Sequence, residues 1–277
     1  MKILITGASG YVGGRIFYDL KDDFELVGTY FSNKISKDFI QLDVTKNDQV
    51  KKIIQFTKPQ VVIHIANNPS QKWCKEHPEE AVKLNQDSSH YILDVANKMD
   101  VKIIYMSTMG AILPKDLYQN TKAYSEKVFQ NTEAGYINLR PSVGIGVSPD
   151  KNEDNFFNNI VKCYKGEKEP IFDTSLKLQP THLSHISNVI RQCIKNNIWN
   201  KIIPISVQVE RSRFDIATEI LSRFDVKTLP VDLKIPPFNS VDNIDDELTK
   251  LGLPTMEYNE AISLAINDIK NLQKISL

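Results

Sequence analysis

Short apolar runs alternate with longer amphipathic stretches through the first half of the chain. The apolar runs are rich in β-branched residues and predict buried strands, whereas apolar positions three and four residues apart predict helices. Strands are predicted at 2–6, 25–30, 61–65, 101–106 and 136–139, and helices at 50–56, 79–99 and 123–131, the last continuing a helix that begins near 118. This alternation predicts an α/β fold with a mostly parallel, doubly wound sheet that has helices on both faces.

The second half of the chain is less regular. A polar loop is predicted at 148–155, helices at 156–164, 186–196, 214–224 and 257–272, a strand at 201–206, and a proline-rich extended connection at 229–239. We expect segments near 182–206 to return to the first sheet.

A glycine-rich turn follows the first predicted strand directly. Its sequence is Gly7-Ala8-Ser9-Gly10-Tyr11-Val12-Gly13, and a helical stretch comes next. In a dinucleotide-binding turn, Gly7 would permit the tight turn, Gly10 the approach of the backbone to a pyrophosphate, and Gly13 the close packing of helix on sheet. Amides at the start of the helix would bind the phosphates.

The turn and the alternation together define the expected domain organisation. We predict a Rossmann-type dinucleotide-binding domain over 1–147 and a smaller C-terminal substrate-binding lobe over 148–277. Ligands of such sheets bind at the carboxyl ends of the strands.

Tyr118 and Lys122 are four residues apart, which places them on one face of a helix. A lysine charge beside a phenol favours the ionised phenol, so we predict a lowered pKa for Tyr118. Such a tyrosine can exchange a proton with a carbonyl or alcohol oxygen near neutral pH. The spacing alone also fits a chance surface pair, and it is the glycine turn that favours the catalytic interpretation.

Composition narrows the function classes. The 277 residues contain 34 Lys+Arg and 34 Asp+Glu, so no overall basic charge favours a nucleic-acid partner. No apolar stretch is long enough for a membrane span, and Met1 leads directly into the first predicted strand. The three cysteines are far apart, as in a reduced cytoplasmic protein. We expect no metal site, although His182 and His185 are three residues apart.

Further motifs follow in order along the chain. They are Asp43-Val44, Ile65-Ala66-Asn67-Asn68, Asn85, Ser107-Thr108, Arg140-Pro141-Ser142, Gln179-Pro180-Thr181-His182, Arg211-Ser212-Arg213-Phe214 and Pro236-Pro237-Phe238-Asn239-Ser240 with Leu251-Gly252. With the glycine turn and the Tyr-Lys pair, this order resembles the extended short-chain dehydrogenase/reductase superfamily. Within it, the chain resembles most the dTDP-4-dehydrorhamnose reductase family.

The resemblance implies NADPH-dependent reduction of a 4-keto nucleotide sugar by hydride transfer. It implies catalytic roles for Thr108, for Tyr118 as the proton donor and for Lys122. The implied cofactor-binding residues are Gly7, Ser9, Gly10, Tyr11, Val12, Gly13, Ser32, Lys34, Asp43, Val44, Ala66, Asn67, Asn68, Ser107, Tyr118, Lys122, Arg140 and Ser142.

The end of the second predicted strand bears on the choice of cofactor. The run 28–34 lacks the acidic residue that binds the ribose 2′-hydroxyl of NAD, and Ser32 and Lys34 suit a 2′-phosphate. We therefore favour NADPH and keep NADH as the alternative.

The chain departs from the family pattern after Thr108. Where the family has an acidic residue and aromatics, this chain has Met109-Gly110-Ala111-Ile112-Leu113-Pro114. Met109 argues against a dehydratase, but an epimerase of the same superfamily stays open. So does an NADP-binding regulatory protein that resembles the regulatory subunit of methionine adenosyltransferase. The sequence also leaves open whether the chain is a homodimer.

Overall fold

The computed structural model describes residues 1–150, 153–235 and 241–275. The strands are β1 (Lys2–Thr6), β2 (Glu25–Tyr30), β3 (Ile40–Gln41), β4 (Val61–His64), β5 (Lys102–Met106), β6 (Tyr136–Pro141), β7 (Gly144–Ile145), β8 (Ile171–Asp173), β9 (Lys177–Leu178), β10 (Thr181–His182), β11 (Lys201–Ile205), β12 (Arg211–Ser212) and β13 (Leu229–Val231). The helices are α1 (Tyr11–Leu20), α2 (Asn47–Thr57), α3 (Gln71–Glu76), α4 (Pro78–Val82), α5 (Ser88–Met99), α6 (Leu117–Phe129), α7 (Phe156–Tyr164), α8 (Leu183–Lys195), α9 (Arg213–Leu221), α10 (Ile244–Lys250) and α11 (Tyr258–Lys270).

Seven of these strands form one parallel sheet in the described part of the chain. Their order is β11-β6-β5-β4-β1-β2-β3, and every neighbouring pair is parallel. This confirms the predicted α/β fold with a doubly wound Rossmann-type sheet. β11 pairs with β6, so a strand from the second half of the chain forms one edge of the sheet.

The central strands are buried on both faces, as their unbroken apolar sequences predict. Ile3 and Ile5 of β1 pack into one hydrophobic cluster, whereas Leu4 between them packs into another on the opposite face. This alternation follows from the two-residue period of a strand. Burial on both sides fixes the register of β1, because a one-residue slip would exchange its two faces.

β1 is also the strand at which the chain changes direction across the sheet. It pairs with β2 on one side and β4 on the other, which leaves a crevice beyond its carboxyl end. Gly7 begins the turn there with φ +71°, and a Cβ at Gly7 would lie 2.8 Å from the backbone of Ala66. A Cβ at Gly13 would lie 2.1 Å from the Gly7 carbonyl oxygen, so α1 starts in direct contact with the turn.

The predicted helix over 79–99 is interrupted in the structure. A π-helical turn, Lys83–Asp87, separates α4 from α5. Within it, the Asn85 side chain accepts from the Asn68 amide at 2.9 Å and donates to the Asn68 carbonyl at 3.1 Å. The π-helical turn thus holds the loop after β4 in place through Asn68. The hydrophobic periodicity of the sequence did not predict this turn.

Other predictions of local structure were incomplete. The short helices α3 and α10 were not predicted, and within the described part of the extended connection, 229–235, Leu229–Val231 is a strand paired with β8. The motif at 236–240 lies outside the described residues. No helix in the described residues is both long and apolar enough to cross a membrane.

Two glycines of the turn provide a matched test of this packing. Gly13→Ala would force a backbone contact, so we expect a loss of about 1–3 kcal/mol in the free energy of unfolding, measured in urea. Gly10→Ala is the control: its Cβ would meet nothing nearer than 3.6 Å, and we expect a change within about 0.5 kcal/mol. Equal stability of both variants would contradict the close approach of α1 to the turn.

Candidate functional site

A cleft of about 910 Å³ opens at the carboxyl ends of the central strands. Most of the predicted site residues line it: Gly7, Ser9, Gly10, Tyr11, Val12, Gly13, Ser32, Asp43, Val44, Ala66, Asn67, Asn68, Ser107, Thr108, Tyr118 and Ser142. Lys34, Lys122 and Arg140 do not line the cleft, and each is described below.

The glycine turn presents the N-terminus of α1 to this cleft. Gly10 is the N-cap residue, with φ −88° and ψ 175°, and the amides directly after it have no acceptor within the helix, as at any helix start. The space beside Gly10 is open, since an added Cβ would touch only the Gly7 carbonyl oxygen at 3.6 Å. The positive end of α1 at the cleft fits a dinucleotide pyrophosphate.

Thr108 follows the carboxyl end of β5 at the edge of the cleft. Its hydroxyl oxygen accepts a hydrogen bond from the Gly110 amide at 3.3 Å. Ser107, in contrast, is buried, and its hydroxyl donates to Glu126 of α6 at 2.5 Å. Ser107 therefore connects the end of β5 to α6, and Thr108 is the freer of the two hydroxyls.

Tyr118 and Lys122 lie one turn apart on α6, as predicted. Asp116 caps this helix by accepting from the Gln119 amide at 2.8 Å, which starts the helix just before Tyr118. Tyr118 lines the cleft. Lys122 is buried behind it, with its Nζ 5.9 Å from the centre of the Tyr118 ring and donating to the Met106 carbonyl at 2.7 Å.

The predicted lowering of the Tyr118 pKa was wrong for this structure. Burial raises the pKa of Tyr118 above its ordinary value, and the electrostatic effects of Cys74, Asp116 and Glu153 act in the same direction. Lys122 does not reverse this, because burial leaves its amine uncharged at the high pH where the Tyr118 phenol would titrate. Burial also lowers the pKa of Lys122 to about 7, although Glu126 opposes the shift.

Arg140 has a different position from the one predicted. Its guanidinium pairs with the buried carboxylate of Glu126, with Nε 2.8 Å from Oε1 and Nη2 bonded to Oε2. The two-pronged pair neutralises a carboxylate that also accepts from Ser107. Arg140 therefore supports the wall of the cleft and does not line it.

Ser32 and Lys34 lie at the end of the cleft formed after β2. Ser32 lines the cleft beside Tyr30 and Phe31. Lys34 is exposed, and its Nζ lies 5.5 Å from the centre of the Tyr30 ring. Asp43 lines the same end and is ordered by its Oδ1, which accepts from the amide and the hydroxyl of Thr45 at 2.9 and 2.6 Å.

Sequence reasoning missed a set of residues from the second half of the chain. Glu153, Asn155 and Phe156 line the cleft. They belong to a segment that the sequence indicated only as a polar loop followed by a helix. Trp73, at the start of α3, also lines the cleft.

His64 and His182 make hydrogen bonds with neighbouring hydroxyl groups inside the protein. His64 is buried in β4, where its Nδ1 lies 2.7 Å from the Thr6 hydroxyl, and burial lowers its pKa to about 3. His182 Nδ1 lies 2.7 Å from the Ser184 hydroxyl. Within 1–150, 153–235 and 241–275, no group of His, Cys, Asp and Glu side chains has the arrangement of a metal site.

Comparisons with known proteins identify sequence relatives of this chain. Methionine adenosyltransferase 2 subunit beta of Bos taurus is 24% identical over 243 residues, which are 81% of this chain and 72% of that protein. A dTDP-4-dehydrorhamnose reductase of Aggregatibacter actinomycetemcomitans is 27% identical over 175 residues, which are 58% of this chain and 55% of that protein.

Solved structures share the fold over nearly the full length. A dTDP-4-dehydrorhamnose reductase of Clostridium acetobutylicum has a TM-score of 0.81 and 24% identity, covering 99% of this chain and 100% of that chain. A Bacillus anthracis dTDP-4-dehydrorhamnose reductase in complex with NADP has a TM-score of 0.80 and 20% identity, covering 97% of each chain. A Thermus thermophilus UDP-glucose 4-epimerase in complex with NAD has a TM-score of 0.81 and 17% identity, covering 98% of this chain and 99% of that chain.

The family model described as RmlD substrate binding domain matches residues 1–250. With the parallel sheet, the glycine turn and the cleft in place, the chain belongs to the RmlD substrate binding domain family.

Proposed function

We propose that the protein reduces a 4-keto nucleotide sugar with NADPH as the hydride donor. The observation that carries the proposal is the meeting of the glycine turn, Thr108 and Tyr118 in one cleft. The similarity of this chain to dTDP-4-dehydrorhamnose reductases supports the same activity. In this proposal 1–147 binds the dinucleotide, and the substrate-binding residues come mainly from 148–277.

The residues of the cleft suit a dinucleotide along its length. The start of α1 would bind the pyrophosphate, and Asp43 and Val44 line the end of the cleft where the adenine would lie. Ser32 and the nearby Lys34 would bind a 2′-phosphate, because no acidic side chain occupies the run 28–34. These side chains favour NADPH, with NADH as the weaker alternative.

The bound cofactor supplies the hydride, and the residues of this chain position the ketone and supply the proton. Thr108 would donate a hydrogen bond to the substrate carbonyl oxygen and orient it. Tyr118 would give its phenolic proton to the same oxygen as negative charge develops there. A raised pKa keeps Tyr118 protonated at neutral pH, which is the form that a proton donor needs.

Lys122 would act from behind Tyr118. Its protonated amine would stabilise the phenolate that remains after proton transfer, since opposite charges attract strongly in a buried site. The hydrogen bond from Lys122 to the Met106 carbonyl also fixes the end of β5, directly before Ser107 and Thr108.

A second candidate is an NADP-binding regulatory subunit without turnover. Two observations favour it. The sequence match to methionine adenosyltransferase 2 subunit beta covers 81% of this chain, against 58% for the reductase of Aggregatibacter actinomycetemcomitans. The segment 109–114 also lacks the acidic and aromatic residues of the reductases. Against it, Thr108, Tyr118 and Lys122 are all present.

Oxidation of NADPH in the presence of dTDP-4-dehydro-6-deoxy-L-mannose separates these candidates. The proposal predicts stoichiometric oxidation with formation of the 4-hydroxy sugar. An epimerase would interconvert sugars without net oxidation of NADPH, and a regulatory subunit would bind NADPH without turnover.

Replacement of the phenolic hydroxyl tests the proton donor. We expect Tyr118→Phe to lower kcat by about a hundredfold or more while NADPH binding persists, because only proton transfer is removed. Tyr124→Phe is the matched control on the same helix, with a partly exposed hydroxyl 3.1 Å from His90, and should keep full activity. Full activity of Tyr118→Phe would contradict the assigned role.

Replacement of Lys34 tests the cofactor preference. We expect Lys34→Ala to weaken NADPH binding about tenfold and to leave NADH binding unchanged, because a charged contact to the 2′-phosphate is lost. Lys37→Ala removes an exposed charge three residues away and should change neither affinity. An equal loss for NADPH and NADH would show that Lys34 does not recognise the 2′-phosphate.

A further inference from the structure

A carboxylate from the second half of the chain contacts the glycine turn. Glu153 Oε2 accepts a hydrogen bond from the backbone N–H of Tyr11 at 3.1 Å, across 142 residues of sequence. Tyr11 is the first residue of α1, directly after the N-cap Gly10. Both Glu153 and Tyr11 line the cleft.

This N–H is one of the donors that a bound pyrophosphate would use. Donors at a helix start attract anions, because they are unpaired within the helix and lie at the positive end of its dipole. Glu153 therefore places a protein carboxylate where the proposed function requires a phosphate oxygen. Two anions cannot share one N–H without strong repulsion in a partly buried site.

On balance, the surroundings of Glu153 disfavour its charged form. Burial raises its pKa, and Asp150 acts in the same direction, whereas the hydrogen bond from Tyr11 and the side chain of Asn155 lower it. The nearest cation along α1, Arg15, is engaged with Asp19 and Asp268 at 2.9 and 2.6 Å. In the ranges that the structure describes, Glu153 takes part in no ion pair with a lysine or an arginine.

We infer that Glu153 sets the affinity for the dinucleotide by competing with its pyrophosphate for the Tyr11 N–H. The inference rests on the proposed function, because it takes the cleft as the dinucleotide site. Binding must displace the carboxylate from the amide and keep the two anions apart. Glu153 thereby weakens binding and speeds release of the cofactor.

The test is the dissociation constant for NADPH, measured by quenching of protein fluorescence, together with the rate of NADPH release. Glu153→Gln removes the charge and retains an oxygen that can accept from Tyr11, so the contact with the turn is preserved. We expect the dissociation constant to fall about tenfold, chiefly through slower release.

Asp154→Asn is the matched control, because it removes an exposed carboxylate one residue away. It should leave the affinity within about twofold of the wild type, as expected for a solvated charge. Thermal unfolding of each variant without ligand confirms that the fold is retained.

The outcomes separate this inference from the proposed function. Tighter binding by Glu153→Gln but not by Asp154→Asn supports the inference. Unchanged or weaker binding by a folded Glu153→Gln overturns it and leaves the dinucleotide site standing. If neither the wild type nor Glu153→Gln binds NADPH, the proposed function and this inference both fail.

Discussion

The contact of α1 with the turn after β1 is the constraint on which the cleft depends. A side chain at Gly13 would lie 2.1 Å from the Gly7 carbonyl oxygen, and one at Gly7 would lie 2.8 Å from the backbone of Ala66. Without side chains at these positions, the helix start, the turn and the loop after β4 approach one another at backbone distance. The positive end of α1 therefore meets the crevice beside β1, where anionic ligands of such sheets bind.

A second set of contacts places the chemical groups on the opposite wall. Glu126 of α6 accepts from Ser107 and pairs with Arg140 of β6, while Lys122 donates to the Met106 carbonyl. These bonds join α6 to the ends of β5 and β6. Thr108 and Tyr118 reach the cleft from elements that are locked together, and such a buried network favours one arrangement of the two hydroxyls.

Much of this arrangement was predictable from local patterns. The strands β1 and β2 and helix α7 begin and end where hydrophobic periodicity places them, and the glycine turn and the Tyr-Lys pair indicated most of the cleft. The side-chain partners of Arg140 and Lys122 were not predictable, because one is a buried carboxylate and the other a backbone carbonyl, both distant in sequence. The raised pKa of Tyr118 was not predictable either, because the spacing of Tyr118 and Lys122 indicates a neighbouring charge but not the degree of burial.

The contribution of the second half of the chain was the hardest to foresee. Glu153 contacts Tyr11 across 142 residues, and no local pattern pairs a loop carboxylate with a particular amide. The π-helical turn that directs Asn85 toward Asn68 was equally hard to predict, because its sequence is compatible with an ordinary helix. Both features lie beside the cleft, and local sequence rules are expected to fail most often at functional sites.

The central claim is that the cleft binds a nicotinamide dinucleotide at the start of α1. Isothermal titration calorimetry of the wild-type protein with NADPH tests this most directly. We expect saturable binding of one dinucleotide per chain, tighter for NADPH than for NADH. A folded protein that binds neither NADPH nor NADH would contradict it.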